Sequence, residues 1–485
     1  MRTKPLALLV PMLLAGCTVG PDYVKPDVPA GSTWHQGAAL AQRQGDAPAP
    51  ALDAWWQGFD DPELTAIVSR VLGQNLDLAA SAARVRQAEA ASRQAHAERL
   101  PQGSLDANGA RLRQSELSPL GKLARATPGY DRDQTYEDIG AGASWELDLA
   151  GGLRRGDEAA NAAREAAEAT HAGVRITLVA EAADAYFRVR GAQARIGIAN
   201  EQIRNEQGLV DLVRLRLTHG LGTEREVAQA EALLLQAQAT VPPLQAELDT
   251  QLNRLDVLMG AAPGTYASEI ASTPASSKVP TVDAAGGPAS LLRRRPDVIA
   301  AERELAASNA RIGVALAQYY PQVSLSGLLG FASLDSGKLF TGAAAQSQGA
   351  LGLHWRLFDF GRVDAEVGQA RGAYAEALAR YRGAMLKATE DVENAIVSLT
   401  QLEAQHAVLE NEVKAHARAR DAAQDAYKGG AVSLLEVLDE DRQLLASRDL
   451  LARVRTDDAR AAVGAFRSLG GGWEAPADKV ADVSR

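Results

Sequence analysis

The chain of 485 residues contains one cysteine, Cys17, so no internal disulfide can form. Its 61 Asp and Glu are scattered over helical surfaces rather than gathered as acid–base pairs. No Gly-x-Ser-x-Gly, His-Glu-x-x-His, P-loop or dinucleotide fingerprint occurs. His406 and His416 lie ten residues apart, about 15 Å along a helix, too far to chelate one ion. They read as polar residues on a packing seam. Arg293-Arg294-Arg295 is a basic run in a chain of net charge −10, which has no nucleic-acid footprint, so a structural role is expected. No catalytic residue, cofactor site, metal site or nucleic-acid partner is expected.

Arg2 and Lys4 followed by the apolar run Pro5 to Leu14 read as an export leader. Leu14-Ala15-Gly16-Cys17 then resembles the lipobox of bacterial lipoproteins. That resemblance implies a signal peptide over 1–16 and lipid attachment at Cys17. Thr18, where inner-membrane retention uses Asp, implies outer-membrane sorting. Beyond the leader no stretch of about 18 uncharged apolar residues appears, so no transmembrane helix is expected. A chain of this kind can cross a bilayer only as a closed β-barrel, because open edges leave backbone groups unsatisfied.

The elements that must position these groups come in two copies. Trp145-Glu146-Leu147-Asp148 and Trp355-Arg356-Leu357-Phe358 head two long proline-free stretches 210 residues apart. Gly220 to Val227 answers Gly430 to Val437 at the same offset. Ile139, Ala141, Ala143, Trp145, Leu147 and Leu149 alternate with small or charged residues, a period of two. Leu105, Ala107 and Gly109 form a weaker alternation. In the second copy Val323, Leu325, Gly327, Leu329 and Phe331 share one face, and Leu351, Leu353, Trp355 and Leu357 another. An apolar outside and a polar inside, with Trp145 and Trp355 at the interface, suit a membrane barrel. Segments 113–135 and 332–346 read as polar loops.

Asp61-Pro62 starts a helix expected from about 63 to 99. From Asp157 to Thr218 runs a helix of about 90 Å. Val189, Ile196, Ile203, Val210 and Leu217 recur every seven residues, with Ala185, Ala192 and Ala199 beside them, a coiled-coil seam. Their counterparts run from Leu399 to Tyr427 and from Ala395 to Leu409. Glycines end both long helices, and a returning helix follows each, interrupted by Pro242-Pro243 in the first copy alone. The expected domains are the signal 1–16, an extended lipidated segment 17–62, repeats 63–260 and 296–470 joined by a linker 261–295, and a loose tail 471–485.

Four strands per chain cannot close a barrel, since the smallest stable membrane barrels have about eight. Several chains must share one; counting leaves dimer and trimer open. The class is therefore mixed and mainly α, with an internal repeat.

Leu292-Arg293-Arg294-Arg295-Pro296-Asp297-Val298, Ala301-Glu302, Ile312-Gly313, Ala315 and Tyr320-Pro321 strongly resemble the signature of the TolC-type outer membrane efflux proteins. Phe358-Asp359-Phe360-Gly361-Arg362 resembles that family's second-strand motif. The Trp55-Trp56…Phe59…Asp61-Pro62 opening and the lipobox are similar to its lipoprotein branch, the outer membrane components of resistance-nodulation-division pumps. The resemblance spans essentially the whole chain after the leader. It implies a homotrimeric α/β tube. A 12-stranded transmembrane β-barrel, four strands per chain, would continue into a 12-helix periplasmic coiled-coil barrel. It also implies an outer membrane, lipid-anchored channel extending into the periplasm. That channel would passively conduct drugs or toxic compounds from an inner membrane pump and a periplasmic adaptor.

In the family, side chains near the hairpin tips narrow the periplasmic end. The matching residues are Glu226, Tyr427, Glu436 and Asp439, whose carboxylates would favour cations. A solvated role in first helical turns is the plain alternative. Val432 stands where some relatives have a latching arginine. Gly220, Gly222, Gly429 and Gly430, within 219–227 and 429–437, are the implied adaptor contacts. Two other roles compete, a conduit for type I protein secretion and a pore-less periplasmic lipoprotein scaffold. The amphipathic strands discriminate against the scaffold.

Overall fold

The computed structural model describes residues 18–27, 33–38, 49–270, 278–282 and 287–474. The signal, Cys17, much of the linker and residues 475–485 lie outside the described residues.

The order begins with a 3-10 stretch, Leu52–Phe59, then α1 Pro62–Gln74 and α2 Leu76–Ala97. β1 Gln102–Arg113, α3 Pro119–Arg125 and β2 Asp133–Leu147 follow. The first copy closes with α4 Gly152–Thr218, α5 Glu224–Ala239 and α6 Val241–Leu258. After the short helices α7 Ala267–Ile270 and α8 Gly287–Arg294, the second copy runs α9 Pro296–Ala317, β3 Gln322–Ser333 and β4 Ala345–His354. It ends with α10 Arg362–Lys428 and α11 Leu434–Ser468. The two long helices are each 67 residues, as an internal duplication demands.

The expected helix over 63–99 is two helices. At Asn75 the backbone is extended (φ −65°, ψ 131°). Its side chain accepts from Leu78 N–H at 3.0 Å, a donor that a continuous helix would satisfy itself, and donates to the Leu258 carbonyl at the end of α6 at 2.8 Å. The long helix starts at Gly152, five residues earlier than expected. The segment after β1 is not wholly polar, because Leu117, Leu120 and Leu123 on and beside α3 are exposed. The chain past Ser468 is not loose as far as Trp473. Gly472 N–H reaches the Leu52 carbonyl at 2.7 Å, and Arg294 holds the Trp473 carbonyl at 3.0 Å. The break between α5 and α6 falls at Thr240, with the proline pair in the first turn of α6, and α11 runs unbroken.

Two compact units divide the chain differently from the repeats. One takes in the described residues within 1–27, 85–167 and 301–381; the other those within 28–84, 168–300 and 382–485. The first contains the antiparallel sheet, in order β1-β2-β3-β4. Among the described residues β1 and β4 are therefore edges.

The second unit holds the largest core. Trp55 stacks on Phe466 at 5.3 Å and meets Phe59 edge-on, and Phe59 contacts Phe187 at 4.9 Å. Asp61 caps α1, accepting from Glu63 and Leu64 N–H at 3.1 and 3.2 Å. Its other oxygen accepts from the fully buried Tyr186 hydroxyl at 2.6 Å, and Arg190 Nε reaches that hydroxyl at 3.1 Å. Burial and Asp61 hold the Tyr186 phenol well above its ordinary range.

Candidate functional site

The sheet is two-faced, and register shows how. Trp145, Leu325 and Leu351 lie in one cross-strand row, Leu147, Val323 and Leu353 in another. Period-two alternation places the partners of this face on the other side: Asn108 beside Asp138, and Ser144 beside Ser326. Asn108 donates to Asp138 at 3.1 Å there. The apolar face is exposed, with Leu329 and Leu351 69% and 72% accessible. A sheet that shows a band of Trp, Leu, Val and Ala on one face and amides and carboxylates behind belongs between lipid and water.

The interface tryptophans are locked in the same way in both copies. Trp145 Nε1 donates to the Arg99 carbonyl at 2.9 Å and Trp355 Nε1 to the Tyr319 carbonyl at 3.0 Å. Trp355 and Leu357 lie just past β4 rather than within it.

The coiled-coil seam is packed as the spacing requires. Val189, Ala185, Ala192, Ala199, Val210 and Leu399 are buried. Each long helix ends on a left-handed glycine, Gly220 (φ 74°) and Gly430 (φ 77°). Leu221 N–H returns to the Arg216 carbonyl at 2.8 Å, and Ala431 N–H to Ala426 at 2.9 Å. Gly222 and Gly429 stay outside the positive-φ region.

The tip residues separate into different roles. Glu226 closes a capping box at the start of α5: its carboxylate accepts from Thr223 N–H at 2.7 Å while its own N–H reaches the Thr223 hydroxyl. Glu436 does the same for α11, accepting from Ser433 N–H at 3.3 Å. Asp439 is half exposed and pairs with Arg442 at 2.5 Å. Tyr427 is buried among Val210, Val213, Leu434 and Val437, with the Arg216 guanidinium 4.6 Å above its ring. Val432 packs against the same cluster. His406 and His416 occupy separate pairs, with Glu410 at 3.6 Å and Glu440 at 3.3 Å. No helix among the described residues is long and apolar enough to cross a membrane.

Arg294 and Arg295 are structural. Arg295 is buried, donates to Asp297 and Asp391 at 2.7 and 2.9 Å and caps the Ala388 and Ser468 carbonyls. The sequence reading missed Arg155. This buried arginine in the first turn of α4 grips the segment after Cys17, donating to the Val19 and Gly20 carbonyls at 3.2 Å and to Asp22 at 2.7 Å. Gly20 (φ 94°) lies so close to Gly313 that a side chain there would sit 2.6 Å from its Cα. Val19 N–H also bonds the Ala150 carbonyl at 3.0 Å, Asn309 holds the Pro21 carbonyl at 2.9 Å, and the Tyr23 hydroxyl donates to Glu302.

The comparisons agree with this geometry. The family model described as outer membrane efflux protein matches residues 67–261 and 287–471. The pyoverdine export outer membrane protein OpmQ of Pseudomonas putida is 33% identical, over 97% of each chain. The toluene efflux pump outer membrane protein TtgI, also of Pseudomonas putida, is 30% identical over 98% of this chain and 99% of its own. The solved structure of the outer-membrane channel OprN superposes with a TM-score of 0.84 at 34% identity, over 94% of this chain and all of that one. With a two-faced sheet, paired helical hairpins and relatives matched nearly end to end, the chain belongs to the outer membrane efflux protein family and is an outer membrane efflux channel.

Proposed function

We propose that three copies of this chain close one barrel and form the exit duct of a tripartite pump, joined to an inner membrane transporter of the resistance-nodulation-division type through a periplasmic adaptor. The observation that carries this reading is the four-stranded sheet, apolar on one face and open at both edges. Unpaired edges in lipid are untenable, so copies must complete each other. Transport through the duct is passive, and the inner membrane transporter supplies the energy.

The exported class is small organic molecules, in keeping with relatives named for pyoverdine export and for toluene efflux. The glycine turns, Gly220, Gly222, Gly429 and Gly430, are the proposed adaptor seats. Glu226, Tyr427, Glu436 and Asp439 are the proposed narrowing residues. The two glutamates hold helix caps as well, so Asp439 is the member best placed to act on passing ions. Cys17 is the proposed lipid attachment, and the two efflux repeats at about 63–260 and 296–470 are kept as part of this reading.

Detergent-extracted protein should have the mass of three chains and give stable single-channel currents in planar bilayers. A monomer without conductance would end the reading. Cys17→Ser should abolish incorporation of labelled fatty acid yet leave mass and currents unchanged, because the barrel itself inserts. Loss of assembly in that variant would make the lipid an assembly element.

A further inference from the structure

Three helices of the second unit bring a pair of carboxylates together out of water. Glu206 on α4 is 1% exposed and Asp441 on α11 is 6% exposed. Glu206 accepts from the Gln202 amide one turn away through Oε1, while Oε2 has no hydrogen bond. Asp441 Oδ1 has none either; its near cation is Arg420 on α10, with Nη1 3.5 Å away. That guanidinium is shared, since its Nε donates to Asp421 at 2.8 Å. The remaining charged neighbours are Arg448, two turns further along α11, and the His416–Glu440 pair between α10 and α11. Two buried carboxylates thus face one divided guanidinium. Such a pair packs without mutual repulsion when one carboxyl is protonated, and repels itself across the helix interface when neither is.

We propose that Glu206 and Asp441 form a proton-dependent latch between the descending helix of the first hairpin and the returning helix of the second, packed when protonated and loosened when the proton leaves. The pair lies beside the apolar cluster that contains Tyr427, Leu434 and Val437. Loosening it frees the second hairpin near its glycine turn. Burial, then Asp441, push the Glu206 carboxyl up to about 7, against the opposing pull of Gln202 and Arg420. Burial raises Asp441 as well. A carboxyl raised in the folded state stabilises packing fully below its ordinary range and loses that contribution as pH rises toward about 7. Acid therefore holds the hairpins together, and neutral to alkaline pH releases them.

The test is the melting temperature of the helical signal for purified full-length protein at pH 5.5 to 8.5, alongside bilayer conductance over the same range. The inference rests on the channel reading for the second readout alone. Wild type should lose melting temperature and gain open fraction severalfold as pH rises from 5.5 to about 7, and change little above that. Glu206→Gln, which mimics the protonated side chain, should flatten both profiles at the acid-side value. Asp441→Asn removes the like charge and should move the midpoint toward acid. Profiles of Glu206→Gln parallel to wild type would overturn the latch. So would failure of Glu206→Gln to fold at pH 6, where it imitates the native protonation state. Absence of current at every pH in every variant would count against the channel, and the melting profiles would still decide the latch.

Discussion

Arg155→Ala should release the segment that follows Cys17. Chymotryptic cleavage after Tyr23 should accelerate about thirtyfold. The side chain is buried and makes charge-assisted or carbonyl bonds to Val19, Gly20, Asp22 and Glu158. Asp22 and Glu158 are solvent-accessible, so their share is screened. The carbonyl bonds and the buried guanidinium leave about 2 kcal/mol, and each 1.4 kcal/mol is a factor of ten. Arg155→Lys keeps the charge but not the fork, so its rate should fall between the two. Unchanged cleavage in Arg155→Ala would mean that Tyr23, Asn309 and the Val19 backbone bond hold the segment alone.

Asp61→Ala should reduce unfolding free energy in guanidinium by about 3 kcal/mol. Loss of the cap contributes about 1 kcal/mol. The rest comes from leaving the buried Tyr186 hydroxyl only the longer bond to Glu63 at 3.3 Å, and from removing one of the two carboxylates beside Arg190. Asp61→Asn retains an acceptor for α1 and should cost about half as much. A loss under about 1 kcal/mol in the alanine variant would show that Glu63 alone satisfies the arginine.

Local rules made much of this legible. Alternation located β2 and β3, heptads located the seam, and glycines located the turns, because each depends on neighbours close in sequence. The Asp61-Pro62 cap was read for the same reason. Asn75 was not, because the carbonyl that fixes its side chain belongs to Leu258. Arg155 reads as a solvated helix residue until its partners, more than a hundred positions away, are in place. Glu206 could have been found. It is the next member of the series Ala185, Ala192, Ala199, a glutamate at a position that packing reserves for alanine.

The open edges of the sheet have a genetic corollary. A variant with an intact β1 but a damaged β4 still offers one good side to its siblings. It is admitted to a growing ring and then prevents that ring from shutting. Such an allele would be dominant, sequestering healthy copies in proportion to its own expression, whereas an allele that removes the whole chain would be recessive.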